Sequence, residues 1–222
     1  MEDQARDINK AFLTWVRHHR PYVTLKTATS LDGRVSTISG ESKWITGPAA
    51  RQAGHELRAE VDAIAVGLGT IRVDNPSLTA HGKGRNPIRI VFDSRLRTPS
   101  RSRVLNREAK TWCLATDHTV LKHMDQFKRK GVHVVLCRAD AHKRVAIADA
   151  LKHLASLGIA HLLVEGGPTL QQSFLDAGLV DDVIWFIAPM IIGNTKKLKS
   201  AWHLKRPQIM TVGQDLCIRA RL

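Results

Sequence analysis

The residues best placed to do chemistry fall at the ends of predicted strands. His161–Leu162–Leu163–Val164–Glu165–Gly166–Gly167–Pro168–Thr169–Leu170 runs an apolar stretch into a carboxylate, two glycines and a proline. Proline is favoured at a first helical position because the N–H it lacks would be unpaired there. Thr169 to Gly178 then has helical spacing and ends in glycine. A strand–Gly–Gly–helix unit offers backbone N–H groups and a positive helix end, which suit a phosphate or pyrophosphate. Glu165 stands at the strand's C-terminal end, where ligands bind in open α/β sheets. A tight turn without any ligand satisfies the same segment equally well.

Other strand ends carry further candidates. In Leu25–Lys26–Thr27–Ala28–Thr29 the small residues let a flat ring approach the backbone, and Lys26 faces either solvent or a cleft. Trp44, in a polar loop, either covers an aromatic ligand or anchors the core. Arg58, late in a predicted helix, either reaches a phosphate or lies on the surface. Gly67–Leu68–Gly69–Thr70 follows an apolar run, a weak signal for close ligand approach. Asp74 ends the turn that follows, as a cap or as an acid facing the cleft. Phe92–Asp93–Ser94–Arg95 closes a strand with a hydroxyl and a cation, which suit an adenosine ribose or its 2′-phosphate. The chain contains no G-x-S-x-G, no zinc-deaminase pattern, no H-E-x-x-H and no Walker A.

The elements that must position these residues alternate. Apolar runs predict strands at Tyr22–Thr29, Val61–Gly67, Ile88–Phe92, Thr111–Ala115, Val132–Leu136, around Leu162, Val183–Ala188, Ile209–Val212 and Cys217–Leu222. Helical periodicity covers Ala49–Glu60, Val120–Lys130, Ala146–Leu157 and Thr169–Gly178. The pattern implies an α/β fold: a mostly parallel central sheet, helices on both faces and a C-terminal antiparallel hairpin. Residues 1–20 read as a helical lead-in. Its apolar stripe of Ala11, Phe12, Trp15 and Val16 is expected to pack on the chain's own core, docking on a partner domain being the rarer arrangement.

Composition limits the partners. With 43% hydrophobic residues over 222 positions the chain is globular, and no apolar run is long enough to span a membrane. The charged N-terminus lacks a signal-peptide core. Three scattered cysteines, Cys113, Cys137 and Cys217, read as free thiols of a cytoplasmic protein and form no metal site. The net charge of +14 suits nucleic acid, an anionic membrane or phosphorylated small molecules. The basic residues are dispersed and aromatics are only 5%, so solvated faces plus one anion-binding cleft fit better than nucleic acid.

Taken together, the segments resemble the reductase domain of the riboflavin-biosynthesis deaminase–reductase. The resemblance is carried by R-P-Y-V-T-L-K-T-A-T-S-L-D-G-R (20–34), S-G-E-S-K-W-I-T-G (39–47) and L-R-A-E-x-D-A-I-x-V-G (57–67). It continues through G-T-I-x-x-D-N-P-x-L-T (69–79), R-I-V-F-D-S-R-L-R-T-P (89–99), V-E-G-G-P-T-L (164–170) and L-V-D-x-V-x-x-F-I-A-P-x-I-I-G (179–193). Residues 5–12 also resemble the join that follows the deaminase half of bifunctional members, which implies a standalone reductase or a fragment, with 21–222 as the reductase domain.

The resemblance implies a dihydrofolate-reductase-like fold, NADPH as cofactor, a homodimer, and a deaminase as a possible partner. It implies reduction of 5-amino-6-(5-phosphoribosylamino)uracil by hydride transfer to ribose C1′; the alternatives are a same-fold NADPH reductase for another pterin- or pyrimidine-like substrate, or a catalytically inactive relative that binds nucleotide or nucleic acid. Ala28, Trp44, Thr70, Asp74, Ser94 and the run Gly167, Pro168, Thr169, Leu170, Gln171, Gln172 and Ser173 match the family's NADP contacts. Ser42, Arg58, Leu78 and Glu165 match its substrate contacts. Lys26 and Glu165 become the proton-handling or polarising pair, with Asp74 a second candidate acid. One departure stands out. His81 occupies the place of an arginine that contacts the substrate phosphate, with Lys83 and Arg85 beside it in the same loop.

Overall fold

A computed structural model describes residues 8–35, 45–116, 121–192 and 205–221. Its nine strands are β1 (Tyr22–Ser30), β2 (Ala63–Gly67), β3 (Ile88–Phe92), β4 (Thr111–Thr116), β5 (His133–Cys137), β6 (His161–Val164), β7 (Asp182–Ala188), β8 (Lys205–Val212) and β9 (Asp215–Arg221). The helices are α1 (Lys10–His18), α2 (Pro48–Glu60), α3 (Leu68–Asp74), α4 (Leu121–Arg129), α5 (Ile147–Ser156) and α6 (Pro168–Asp176). One sheet takes the order β5-β4-β3-β2-β6-β1-β7-β9-β8. Every pair from β5 to β7 is parallel, and β9 turns back antiparallel between β7 and β8. The predicted class and hairpin are therefore present.

Alternation along the central strands explains helices on both faces. Ala63 and Ala65 of β2, and Ile90 and Phe92 of β3, point into one core with Leu151 and Leu154 of α5 and Phe174 of α6. Ile64, Val66 and Val91 point the other way, onto Ile71 of α3 and Phe127 of α4. Strands apolar on both sides are the expected signature of a buried parallel sheet. A smaller cluster seats Ala50 of α2 against Ile184, Phe186 and Cys217.

Two buried polar groups fix the loops of the α3–β4 region. Arg89 is fully buried, and its guanidinium donates to the carbonyls of Ser77, Asn106 and Ala109 and to Asn106 Oδ1. Asp93 accepts from Thr98 N and Thr98 Oγ1 at 2.6 and 2.8 Å and so shapes the turn after β3. All three cysteines are buried free thiols.

One expectation fails. Helix α1 does not bury its stripe: it has no buried residue, and Phe12 and Val16 are 56% and 48% exposed. It is held instead by polar bonds, from the Trp15 indole to the Ala155 carbonyl at 2.9 Å and from Lys10 to Asp182 at 2.9 Å. An amphipathic pattern requires a covering surface but does not specify which one. Elsewhere the predicted elements differ from the observed ones by a residue or two, the ordinary uncertainty of element ends, except that β8 begins at Lys205 and not at the predicted Ile209.

Candidate active site

The position of β6 in the sheet creates the site. It is only four residues long and lies between β1 and β2, pairing Leu25 with Val164 on one side and Ala65 with Val164 on the other. Glu165, the next residue, donates its N–H to the Ala65 carbonyl at 3.0 Å. Where β6 stops, β1 continues, so Lys26 lies beside Glu165. Their side chains meet at 3.8 Å.

Helix α2 supplies the third member. It begins at Pro48, and Asp215 of β9 holds Gly47 N at 2.7 Å, which ties the helix start to the hairpin. Near its far end Arg58 grips Glu165 with two parallel bonds, Nε to Oε1 at 2.9 Å and Nη2 to Oε2 at 3.0 Å, and donates Nη1 to the Thr79 carbonyl at 3.1 Å. All three side chains are mostly buried: Lys26 is 17% exposed, Arg58 14% and Glu165 9%. Burial alone would push the Glu165 carboxyl up, but the charges of Arg58 and Lys26 and the Arg58 hydrogen bonds outweigh it. The pKa falls to about 2. Glu165 is thus a fixed carboxylate and an acceptor at neutral pH.

These groups lie at one end of a cleft of about 1190 Å³ that continues over the glycine turn. Gly166 leaves the turn room for α6: a Cβ there would come within 2.7 Å of Leu170 Cδ2 and 3.0 Å of Leu170 Cβ, so Leu170 would have to shift. Gly167 donates its N–H to Thr70 Oγ1 at 3.1 Å, which joins the turn before α6 to α3. The first turn of α6 leaves backbone N–H groups without helical partners, facing a cleft bounded by small residues, Gly67 and Gly69 among them. A dinucleotide pyrophosphate fits that chemistry. Asp93 Oδ1, buried in the same lining, has no hydrogen-bond partner among the described residues, which fits a ligand hydroxyl at that position.

The far end of the cleft is basic. Arg95, Arg97, His142, Lys143 and Arg144 line it, with Arg51 on the α2 side. Asp140 builds the turn that presents three of them, accepting the N–H groups of His142 and Arg144 at 2.8 Å each. Ser94 Oγ accepts Val145 N at 3.1 Å and docks that turn beside β3.

Most of the sequence-predicted residues come together. Lys26, Ala28, Arg58, Thr70, Asp74, Ser94, Glu165 and Gly167, Pro168, Thr169, Leu170, Gln171 and Ser173 all line the one cleft. Three do not. The Leu78 side chain is buried in the core with Ile71, Gln172 donates to Asp176 on the outer face of α6, and His81 stacks on His55 beyond the cleft lining. Ser42 and Trp44 lie outside the described residues. The 142–144 turn was missed by sequence reading; its signal was the run His142–Lys143–Arg144, which lies outside any recognised motif.

The family model described as the RibD C-terminal domain matches residues 21–218. The chain belongs to this family. It is 36% identical to the riboflavin biosynthesis protein RibD of Aquifex aeolicus over 98% of this chain and 62% of that protein. It is 37% identical to the 2,5-diamino-6-ribosylamino-4(3H)-pyrimidinone 5′-phosphate reductase of Methanothermobacter thermautotrophicus, over 90% of this chain and 97% of that one. Among solved structures, the RibD of Acinetobacter baumannii superposes with a TM-score of 0.85 at 28% identity, covering 99% of this chain and 63% of that one. The chain thus spans about three fifths of its RibD relatives. No described helix is long and apolar enough to cross a membrane.

Proposed function

We propose that this member of the RibD C-terminal domain family reduces 5-amino-6-(5-phosphoribosylamino)uracil to the ribitylamino compound, with NADPH as the reductant. The observation that carries the reading is the Lys26–Glu165–Arg58 cluster at the end of a cleft whose glycine turn and helix N-terminus suit a dinucleotide. The choice of NADPH over NADH rests on the cationic lining at Arg95, Lys143 and Arg144, which matches a 2′-phosphate.

Bound there, the cofactor would supply the hydride that ends on ribose C1′. The chain supplies the rest. As the C1′–O4′ bond breaks, the amine nitrogen's lone pair forms the C1′=N bond, and the Lys26 ammonium gives its proton to O4′. The Glu165 carboxylate, held by Arg58, stabilises the positive charge that develops at C1′ and the nitrogen. Asp74, in the same lining, is the second acid of the proposal.

We further infer a cytoplasmic homodimer acting beside a deaminase that supplies its substrate. Exposed Ile209 and Met210 on the edge strand β8 favour an association. A second substrate is favoured by the Methanothermobacter thermautotrophicus relative, which matches at nearly full length: the 2,5-diamino pyrimidinone. The test is NADPH oxidation with each pyrimidine, prepared enzymatically, and with NADH in parallel. Rapid oxidation with the aminouracil and NADPH is expected. Turnover with the diamino compound alone would select the second reading, and none with either would end both.

A further inference from the structure

A second group of chemistry-bearing side chains lies at one edge of the sheet. Strand β5 is the outermost strand there and pairs with β4. It ends at Cys137, whose side chain is buried with Val135 among residues of α5. The chain returns through residues 138–146, closed at the base by Ala146 N donating to the Arg138 carbonyl at 2.9 Å, and enters α5. Asp149 is in the first turn of that helix and His153 stands four residues on, so the two share a face. Asp149 Oδ2 accepts Arg138 N at 2.8 Å, which draws the residue after Cys137 onto the helix. A thiol sulfur, a carboxylate oxygen and an imidazole nitrogen thus converge within 4.8 Å of one another.

Asp149 and His153 alone make an ordinary helical pair, with 3.4 Å between Oδ2 and Nε2. The thiol is what that pair leaves unexplained. Burial, reinforced by the Asp149 charge, pushes the Cys137 thiol up to about 12, so a carboxylate stands beside a sulfur held protonated. A metal cation between them reverses this logic, because a coordinating thiol gives up its proton. The positive group nearest Asp149 from the strand side is Arg138, Nε 3.9 Å from Oδ1; its side chain is 89% exposed and free to give way. Around a tetrahedral zinc, bond lengths of about 2.0–2.3 Å put the ligand atoms about 3.5 Å apart. Asp149 and His153 already have that spacing, and the sulfur needs only a small approach. The donors also select the ion: sulfur and nitrogen suit zinc, whereas magnesium and calcium take oxygen.

We propose that Cys137, Asp149 and His153 bind one divalent cation of the zinc class, with water as the fourth ligand, and so fasten α5 to the end of the edge strand β5. Binding replaces the thiol proton by the metal and releases that proton to solvent. None of the three side chains lines the cleft, so the site is independent of the reaction assigned there. The connection it closes is nevertheless the one that presents His142, Lys143 and Arg144 to the cleft.

The experiment titrates Co²⁺, a coloured stand-in for zinc, into the chelator-treated full chain, and compares Zn²⁺ with Mg²⁺ in thermal denaturation. One equivalent of Co²⁺ per chain is expected to give a thiolate-to-cobalt charge-transfer band and the visible bands of a tetrahedral ion, all removed by added Zn²⁺. Zn²⁺ should raise the thermal midpoint and Mg²⁺ should not, since a ligand that binds the folded state stabilises it. Cys137→Ser should lose the charge-transfer band. His153→Gln alters a side chain that is 45% exposed, so it should keep the fold by circular dichroism and bind Co²⁺ at least about tenfold more weakly. If Cys137→Ser fails to fold, His153→Gln decides alone. The proposal is overturned by the absence of a charge-transfer band, by a band that persists in Cys137→Ser, or by equal affinity in His153→Gln. Stabilisation by Mg²⁺ equal to that by Zn²⁺ would also overturn it.

Discussion

The two ends of the short strand β6 both gather buried charge, and they gather it differently. At its start, His161 packs edge-on against Tyr22 and meets Thr24 Oγ1 at 2.8 Å. Around it, Asp62 accepts the N–H groups of Ala160 and His161, Asp181 takes two bonds of 2.6 Å from Arg20 and one from Val23 N, and Asp182 holds Lys10 and Arg219. Each carboxylate there closes a chain junction, Asp62 between β2 and β6, and Asp181 and Asp182 among α1, β1, β7 and β9. At the other end Glu165 also binds two cations and through Arg58 ties α2 to β6, yet this cluster opens onto a cleft. A buried ion pair contributes little net stability beyond what an apolar replacement would give. Charge retained beside open space is therefore the better sign of function, and charge retained at a seam is a sign of architecture.

The comparison breaks first at Lys26. Lys26→Ala should cut turnover about a thousandfold, within the range of a lost general acid, while NADPH binding measured by fluorescence stays within a factor of two. Glu165→Gln keeps shape and loses charge, so turnover should fall about a hundredfold. Near-normal turnover in both variants would remove the open end of β6 from the mechanism altogether. At the closed end the expected outcome is the opposite. Asp181→Asn weakens the grip on Arg20 and should cost about 2 kcal/mol in chemical denaturation, with kcat unchanged.

Much of this difference was legible in the sequence, and the part that was not has a physical reason. Strand ends, the Glu165–Gly166–Gly167–Pro168 turn and the alternation of β and α are local, set by periodicity and by the backbone freedom of particular residues. The contact between Arg58 and Glu165 spans 107 positions and exists only because β6, late in the chain, inserts between β1 and β2. Nothing in local patterning specifies such an insertion. Leu78 illustrates the converse: its motif suggested a ligand contact, while the apolar side chain found the core and left the neighbouring Thr79 carbonyl to hold Arg58. Helix α1 shows a third case, in which a correct helical stripe says nothing about what covers it.

The smallest effect divides the two ends of β6 by pH. His161 is buried, and burial, reinforced by Lys10, lowers its pKa from 6.5 to about 4 against the opposing pull of Asp62 and Asp182. The unfolded chain therefore binds one more proton than the folded chain between these values. Stability contributed by neutral His161 is full above about pH 6.5 and is lost as the pH falls towards 4. Glu165 acts lower: its folded pKa of about 2 lies below its unfolded value of 4.5, so its contribution is full above 4.5 and is lost as the pH falls towards 2. Each window should show a slope of about 1.4 kcal/mol per pH unit, the value for one proton. In denaturation curves taken across the acid range, His161→Gln should flatten the upper window and leave the lower one, and Glu165→Gln should do the reverse. Flattening of both windows by either variant would mean that the ends of β6 titrate as one coupled network and that the division between seam and site is wrong.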